Sequence, residues 1–261
     1  ANALILLDAI GVDTSSVVHA DPSLSGEAAR LKAADNLQAS FDKGGEITIQ
    51  GSVTSNESRS KDGVDYNFNW AKGGNLSGGE INLNGDFDMG FYVGTEEATP
   101  VKIDSTVINS VSDVAMSAKA LNEDITLSNV KLTSDHGGLY ASEGPEELIL
   151  NNVTINASNA AWEQTGSKWL DSAGIASNDA KVTINNGFYK GTYAVYVAPS
   201  QADVTIKDGT FVGVVQADAA EITIEDGTFN GNLVSANGGL ITINNGTFNM
   251  PLRFILYTGG K

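Results

Sequence analysis

The side chains that could carry out acid–base or metal chemistry are few in kind in this sequence. The chain has 261 residues with no cysteine, and its 2 histidines, His19 and His136, lie far apart along it. The absence of cysteine excludes thiolate nucleophiles, disulfides and cysteine-bound metals. Two distant histidines support neither a histidine-based metal site nor a Ser–His–Asp triad. We therefore expect no metal and no cofactor, which leaves carboxylates as the groups that could act in catalysis.

Carboxylates and tryptophans together define the candidate site. Two carboxylates at a suitable separation are what a glycoside hydrolase requires, and Asp135, Glu163 and Asp171 are candidates for such a pair. The same acids suit a non-catalytic role, because most surface carboxylates simply interact with water. Aromatic platforms with acids nearby also suit a surface that binds a sugar or a protein partner. The candidate binding residues are Trp70, Trp162, Trp169, Glu163 and Asp171.

The charge balance excludes several kinds of partner. The chain has 15 Lys and Arg residues against 32 Asp and Glu residues, a formal net charge of -17. Such a surface repels phosphate backbones and anionic membranes, so we expect no nucleic-acid partner. The apolar segment ALILLDAIG near the N-terminus is interrupted by Asp8 and is much shorter than the about 20 residues of a membrane span. We expect no membrane span and interpret this segment as a docking arm.

One short segment recurs along the second half of the chain. EITIEDGTFNG at residues 221–231 follows KVTINNGFYKG at 181 and DVTIKDGTFVG at 203, and LITINNGTFNM begins at 240. Apolar and polar residues alternate in each copy, as in a strand with one buried face. Each copy then carries an Asn-Gly or Asp-Gly pair, which favours a turn. Repeats of this length predict a solenoid of stacked strands.

A column of polar residues strengthens this prediction. When the repeats are aligned, one position is Asn or Asp in 6 successive units, whereas earlier units have Gly51, Gly85 and Ser105 there. Side chains stacked about 4.8 Å apart can bond from coil to coil. Over residues 46–257 this arrangement resembles the asparagine ladder of right-handed parallel β-helices, the pectin-lyase-like superfamily. The resemblance implies an all-β fold, a right-handed parallel β-helix of about nine to ten coils. The ladder residues are Asn129, Asn152, Asn186, Asp208, Asp226 and Asn245.

Three segments are predicted along the chain: a docking arm at 1–24, a capping helix at 25–45 and the β-helix at 46–261. Ser25 can cap the helix and Gly44-Gly45 can end it. A helix in this place would cover the open edge of the first coil. At the other end, LRFILY is apolar and no polar cap follows it, although solenoids need one for solubility. Either these residues cap the coil themselves or a partner subunit covers them, and we favour the partner.

Two repeats are longer than their neighbours. The steps from Ile47 to Ile81 and from Leu148 to the next unit start are 34 residues long, and the extra residues fall around 55–79 and 157–180. Both inserts leave the coil at a similar point, so we expect them on one side of the molecule, roughly 19 Å apart at the strand spacing. Three interpretations stay open. The inserts bind a glycan or a partner, pack onto the coil through their tryptophans, or join neighbouring subunits.

The family resemblance does not extend to catalysis. Pectate and pectin lyases of this fold use a basic cleft, usually with an arginine base and bound calcium, whereas the arginines here are Arg30, Arg59 and Arg253, outside the central coils. Polygalacturonase-like hydrolases carry an Asn-Thr-Asp motif, an Asp pair, a Gly-His-Gly and an Arg-Ile-Lys. Only the Asp-His-Gly at residues 135–137 partly matches one of these motifs. We therefore predict that the protein is not an enzyme.

The predicted architecture is similar to that of non-catalytic phage head-fibre, decoration and tailspike β-helices. This similarity predicts a structural or attachment protein at a virion surface. We expect a homo-oligomer, with a trimer favoured, that docks to a larger protein assembly through residues 1–24. A glycan is a further candidate partner. The alternatives are a secreted enzyme acting on a neutral polysaccharide and a bacterial surface adhesin.

Overall fold

The described part of the chain consists of β-strands and the turns between them. No helix occurs among the described residues, and the predicted arm (1–24) and capping helix (25–45) lie outside them, so both stay predictions. In a computed structural model of the protein, the described residues are 46–55, 60–61, 64–65, 74–84, 90–95, 99–111, 114–157, 173–198, 202–250 and 255–257.

The strands are short where the chain turns sharply and long where it passes a corner without a break. In chain order the first strands are β1 (Glu46–Thr48), β2 (Ser52–Ser55), β3 (Ser60–Lys61), β4 (Val64–Asp65), β5 (Gly74–Ser77), β6 (Glu80–Leu83), β7 (Phe91–Gly94), β8 (Val101–Asp104), β9 (Val107–Ser110), β10 (Val114–Lys119), β11 (Ile125–Ser128) and β12 (Lys131–Ser134). The others are β13 (Gly137–Asn151), β14 (Val153–Ala157), β15 (Ala173–Ile184), β16 (Gly187–Val197), β17 (Asp203–Ile206), β18 (Thr210–Asp218), β19 (Glu221–Ile224), β20 (Thr228–Phe229), β21 (Leu233–Ala236), β22 (Leu240–Ile243), β23 (Thr247–Phe248) and β24 (Ile255–Tyr257).

All strands except the small hairpin of β3 and β4 belong to three walls of parallel strands. The first wall stacks nine strands, from β1 through β5 to β22. The second wall also stacks nine, from β2 through β6 to β23. The third wall stacks eight, from β7 through β10 to β24. One passage of the chain along all three walls is a coil, and the fold is a parallel β-helix.

The first coils depart from the register that the repeats predict. Ile81 lies in the second wall, where it pairs with Val53 and Ile108, and the residue that stacks on Ile47 is Leu76. The predicted unit start at Ile81 is therefore wrong. No described strand of the third wall follows β1 and β2. As a result eight coils have all three walls within the described residues, slightly fewer than the nine to ten predicted.

The interior of the coil is filled by columns of apolar side chains, where a column is a set of positions that pair in successive coils. Outward neighbours in the first wall, such as Thr205 and Thr223, are half-exposed. Each fully buried aliphatic side chain contributes about 1.5–3 kcal/mol, so these columns form one continuous core along the molecule. The longest inward column of the first wall contains Ile103, Leu127, Leu150, Ile184, Ile206 and Ile224, none more than 1% exposed.

The inward column of the second wall changes from aliphatic to aromatic along the chain. Adjacent rings in the aromatic part stack with centroids 4.9–5.1 Å apart and planes within 14° of each other. A Cβ atom at Gly227 would lie 3.3 Å from ring carbons of Phe229, and φ at this glycine is 133°. The glycine of the Asp-Gly pair therefore leaves space for the ring as well as allowing the turn. The stacked rings are those of Tyr189, Phe211, Phe229 and Phe248.

The corner between the first and second walls carries the column of asparagines and aspartates. Asn129 and Asn152 adopt φ values of 54° and 52°, the left-handed conformation that Asn enters more readily than most residues. Asn152 Nδ2 donates to Asn129 Oδ1 at 2.9 Å, and the backbone N–H of Asn152 donates to Asn186 Oδ1. Asn129 Nδ2 in turn donates to Asp104 Oδ1 at 3.0 Å. The contacts link four successive coils.

Two neighbouring aspartates interrupt the contacts between coils in this column. The backbone N–H of Gly209 donates to Asp208 Oδ1 at 2.7 Å, and that of Gly227 donates to Asp226 Oδ1 at 2.8 Å. Because an ionised carboxylate only accepts hydrogen bonds, Asp208 and Asp226 cannot bond each other and each bonds its own turn. Contact between coils resumes where an amide is available, since Asn245 Nδ2 donates to Asp226 Oδ2 at 3.3 Å.

Replacing Asn152 is expected to separate the two contributions of this column. Asn152→Gly removes the side-chain bonds but accepts the left-handed backbone, so a loss of about 1 kcal/mol is expected. Asn152→Ala adds the strain of that backbone, about 1–2 kcal/mol more. The free energy of unfolding from urea denaturation measures both. Asn245→Ala, at the terminal position with one long bond, is the control and is expected to lose less. Equal losses for the Gly and Ala variants would contradict a role for the backbone conformation.

Truncating the stacked rings is expected to show how far each coil depends on both of its neighbours. Phe229 is fully buried between two rings, and Phe229→Ala is expected to lower the free energy of unfolding by about 3–5 kcal/mol. Phe248 has one stacked neighbour and is partly exposed, so Phe248→Ala is expected to lose about half as much. Urea denaturation of both variants would test this. A loss at Phe248 equal to that at Phe229 would show that stacking between coils is not what stabilises the rings.

Candidate functional site

The variable corner of the coil lies between the second and third walls. The connection there is 15 residues long between Ala157 and Ala173 and two residues long at Asp135–His136, and it vanishes inside the continuous strand β16. The corner between the first and second walls never exceeds three residues. Insertions at a corner leave the pairing of the walls undisturbed, so this corner can change length without cost to the core.

Both long connections leave the coil from the same column. Ser55, where β2 ends, and Ala157, where β14 ends, are joined by pairing through Leu83, Ser110 and Ser134. Four coil steps separate them, which is about 19 Å at the strand spacing. The expectation of a shared point of departure therefore agrees with the pairing. The boundaries differ from those predicted, since β5 begins at residue 74 and β15 at residue 173, before the predicted ends at 79 and 180.

The five predicted binding residues lie outside the described part of the chain. Of the other acids and histidines considered from the sequence, Asp135 and His136 lie in the variable corner, one coil before the connection at 158–172 leaves Ala157. Asp135 is exposed and His136 is half-buried, with its Nδ1 atom enclosed and without a hydrogen-bond partner. Asp135 therefore lies one coil from Ala157, after which the second insert begins in the sequence. The five residues are Trp70, Trp162, Trp169, Glu163 and Asp171.

A separate apolar cluster lies on the outer side of the third wall, next to this corner. Tyr140, Ala176 and Tyr196 occupy one column in three successive coils. The neighbours of Tyr140 along the strand, Leu139 and Ala141, face the core, so Tyr140 faces outward. We call this cluster the tyrosine face; its members are Tyr140, Ala173, Ala176, Tyr193, Tyr196 and Ala198.

The tyrosine face combines a small-residue floor with partly open rings. Ala173 is 1% exposed and Ala176 is 2% exposed although both belong to the outer cluster, whereas Tyr140 and Tyr193 are half-exposed. The rings of Tyr193 and Tyr196 meet edge to face with centroids 5.3 Å apart. The partly exposed rings of Tyr140 and Tyr193 offer a chemistry that suits stacking on a sugar or a peptide.

Polar groups surround the tyrosine face and fix its hydroxyls. The Tyr196 hydroxyl donates to Asp218 Oδ2 at 3.0 Å, and Asn237 Nδ2 donates to the other carboxylate oxygen at 2.6 Å. Asn178 Nδ2 donates to the Tyr140 hydroxyl at 3.5 Å. Burial, the hydrogen bond to Asp218 and the negative charges nearby raise the pKa of Tyr196 well above its usual value. The hydroxyl of Tyr196 is thus held neutral and pointed at Asp218, a positioning arrangement rather than a proton-transfer one.

The described residues offer little beyond this face that could carry chemistry. They contain no group of three or more His, Cys, Asp and Glu side chains placed to hold a metal ion. The described residues contain no helix that is long and apolar enough to cross a membrane.

The tyrosine face is not apparent from the sequence because its members are scattered along the chain. Tyr140 and Ala176 stack directly, yet the connection of the second insert separates them in the sequence. The sequence does contain one signal, which is the type of residue at the outward positions of the third-wall strands. In GGLYASEG an outward position carries tyrosine, and in YAVYVA the outward positions carry tyrosine and alanine, where an exposed strand usually carries polar residues.

Comparison with known proteins finds no match, whether to a protein-family model, to a curated protein or to a solved structure. The parallel β-helix is therefore established by the strand pairing of the chain itself, and the pectin-lyase-like or phage resemblance stays a prediction.

The two tyrosines with raised pKa values are expected to make the protein sensitive to alkali. Burial raises the pKa of Tyr189, whose hydroxyl donates to the Asn186 carbonyl at 2.8 Å, and the pKa of Tyr196 is raised as well. A raised pKa means that the folded state favours the neutral hydroxyl. The resulting stability is complete below the unfolded value of about 10 and is lost as the pH rises above it.

Tyr189→Phe is expected to reduce this alkaline loss. The next three coils use Phe in the same column, so the ring is retained, and at neutral pH the variant is expected to lose only the hydrogen bond, about 0.5–1.5 kcal/mol. Thermal midpoints of the wild type and of the variant, measured between neutral pH and strongly alkaline pH, would give the slope of the midpoint against pH for each protein. Tyr140→Phe, which removes the hydroxyl of a half-exposed ring, is the matched control. A slope for Tyr189→Phe equal to that of the wild type would show that the buried hydroxyl is not responsible.

Proposed function

We propose that this protein is a non-enzymatic attachment protein in which the β-helix serves as a stiff support and the tyrosine face, with the variable corner beside it, binds a neutral glycan. The observation that carries the proposal is the outward cluster itself. Tyr140 and Tyr193 are half-exposed over the buried Ala173 and Ala176 on a wall that is otherwise regular.

The charge of the chain supports a neutral ligand. A formal net charge of -17 disfavours polyuronates and other anionic polysaccharides. Neutral sugars present apolar ring faces to tyrosine and hydroxyl groups to amides and carboxylates, and both kinds of partner are present at this face. Asp218 and Asn237, which bond each other at 2.6 Å, supply an acceptor and a donor at its rim.

The continuous core is consistent with the proposed role of the β-helix as a stiff support. Inward columns run without a break through the successive coils, and the asparagine contacts join coil to coil at one corner. A solenoid built in this way holds a binding face at a fixed distance from its base.

A virion surface is the setting that the architectural resemblance favours, as a head fibre, decoration protein or tailspike. In that setting residues 1–24 dock to the larger assembly and the chain forms a homo-oligomer. A secreted protein or a bacterial surface adhesin remains the alternative setting. The genomic neighbourhood of the coding sequence distinguishes these settings, since only the first predicts capsid or tail genes beside it.

The binding proposal is tested by affinity electrophoresis in gels that contain soluble neutral polysaccharides, with laminarin, galactomannan and dextran as probes. Tyr140→Ala and Tyr193→Ala are each expected to weaken binding about two- to tenfold, which corresponds to about 0.5–1.5 kcal/mol per ring contact. Tyr92→Ala is the matched control, because Tyr92 lies in the same outward column two coils before Tyr140 and outside the cluster. Retention of binding in the Tyr140 and Tyr193 variants would remove the tyrosine face from the proposal.

The enzymatic alternative gives a distinct result in the same samples. Asp135 lies one coil from Ala157, after which the insert with Glu163 and Asp171 begins in the sequence. A pair of carboxylates is the arrangement that a hydrolase would need. Release of reducing ends from the same polysaccharides, abolished in Asp135→Asn, would replace attachment by hydrolysis.

A further inference from the structure

The first two strands of the last described coil carry no charged side chain. Its strands β22 and β23 pair with the preceding coil on one side, and no described strand pairs with their other edges. Residues 240–250, which we call the uncharged end, read LITINNGTFNM and contain no charged side chain, in a chain with a formal net charge of -17.

The preceding coil shows which charges are missing. Leu240 stacks directly on Glu221, and by the same register Asn244 and Asn245 stand where that coil has Glu225 and Asp226. All three acids are therefore replaced by neutral residues in the coil whose edge is open. Natural proteins normally keep charges on an exposed edge because charges prevent pairing with another chain. The three neutral residues therefore leave the open edge without the charges that would prevent it from pairing with another chain.

The uncharged end also exposes the interior of the β-helix. Two apolar side chains outside the inward columns are also exposed there, Leu240 by 52% and Met250 by 48%. Ile241 and Phe248 continue inward columns and are only half-buried, whereas Ile222 and Phe229, which precede them in those columns, are each 1% exposed. The end therefore offers apolar side chains, the free face of a ring and the edges of two walls, the same features that each coil offers to the next.

We propose that a second copy of this chain docks on the uncharged end, so that two β-helices join end to end about a two-fold axis. A two-fold axis sets β22 of one copy antiparallel to β22 of its partner, a pairing that satisfies the open backbone groups of both edges. Such a contact uses the same surface on both copies, so it closes as a dimer and does not propagate into a fibre.

The distribution of charge favours contact between two copies at the uncharged end and disfavours contact along the acidic walls. Two chains of net charge -17 repel each other along their acidic walls, but the repulsion is least where residues 240–250 meet their own copy. Asn244, Asn245 and Asn249 are suited to meeting themselves because an amide both donates and accepts. Asn249 already donates to Asn230 at 2.8 Å across one coil step. Because the remaining repulsion between the two chains is screened by salt, association is expected to strengthen as salt rises.

The test is sedimentation velocity on the full chain from low to high micromolar concentration, at low and physiological salt. The wild type is expected to move from the mass of one chain to that of two. The variant Leu240→Glu, Asn244→Glu, Asn245→Asp restores the acids of the preceding coil, a set that this backbone already accepts, and is expected to weaken the dimer at least about tenfold. The control Gln50→Glu, Lys131→Glu adds the same negative charge at two exposed positions far from this end and is expected to leave the dimer unchanged.

Three results would overturn the proposal. They are a wild-type monomer at every concentration, a complex of three chains, and a dimer that the triple variant does not weaken. Circular dichroism and the thermal midpoint of the triple variant check that it folds. The glycan assay is independent of this test, because the tyrosine face lies on a side wall and would bind or fail to bind in a monomer as well.

Discussion

The stacking of one coil on the next is the interaction on which the rest of this structure depends. A single coil cannot enclose its own apolar side chains, because the inward columns also need the coils before and after to cover them. The end of the molecule shows this directly. Ile222 and Ile224 are buried between coils, whereas Ile241 and Ile243 have identical chemistry and are half-exposed. Stability is therefore a sum of neighbouring contacts, and each end of the stack is a place where that sum is incomplete.

The same constraint decides where the chain is free to vary. Wall strands must keep their register, since a shift by one residue would turn every inward side chain outward. The corner between the first and second walls is fixed by the left-handed turns and the asparagine contacts. The corner between the second and third walls changes length most, from none to 15 residues. A surface that must differ between related molecules would be built there, beside the tyrosine face.

How much of this could be predicted depends on how closely a coil follows the repeat. The last four coils can be predicted from the sequence, because each has the alternating strand, the Asn-Gly or Asp-Gly pair and an aromatic residue two positions after the glycine. The first coils lack that pair, so the alternation of Ile81 was assigned to the wrong wall. The tyrosine face could not be found by spacing at all, since Tyr140 and Ala176 become neighbours only when the second insert is passed over as a connection. Local pattern thus predicts a wall strand well, and which wall it joins depends on corner lengths that the pattern does not contain.

The glycan-binding face and the association site are compatible because they occupy different surfaces of the stacked coils. A face on the side of the coil and an association site at its end do not compete for the same surface, because the walls and the end of a solenoid are different kinds of boundary. If two copies join at the uncharged end, each brings its own tyrosine face to one rigid object. Two faces held on one object bind a repeating glycan with a higher effective concentration than either face alone. Weak contacts to single sugar rings, of the size that a few tyrosines can provide, would then be sufficient for attachment. An acidic wall with a neutral end would allow that pairing and oppose side-by-side aggregation, and this gives a physical reason for charge to be absent from residues 240–250.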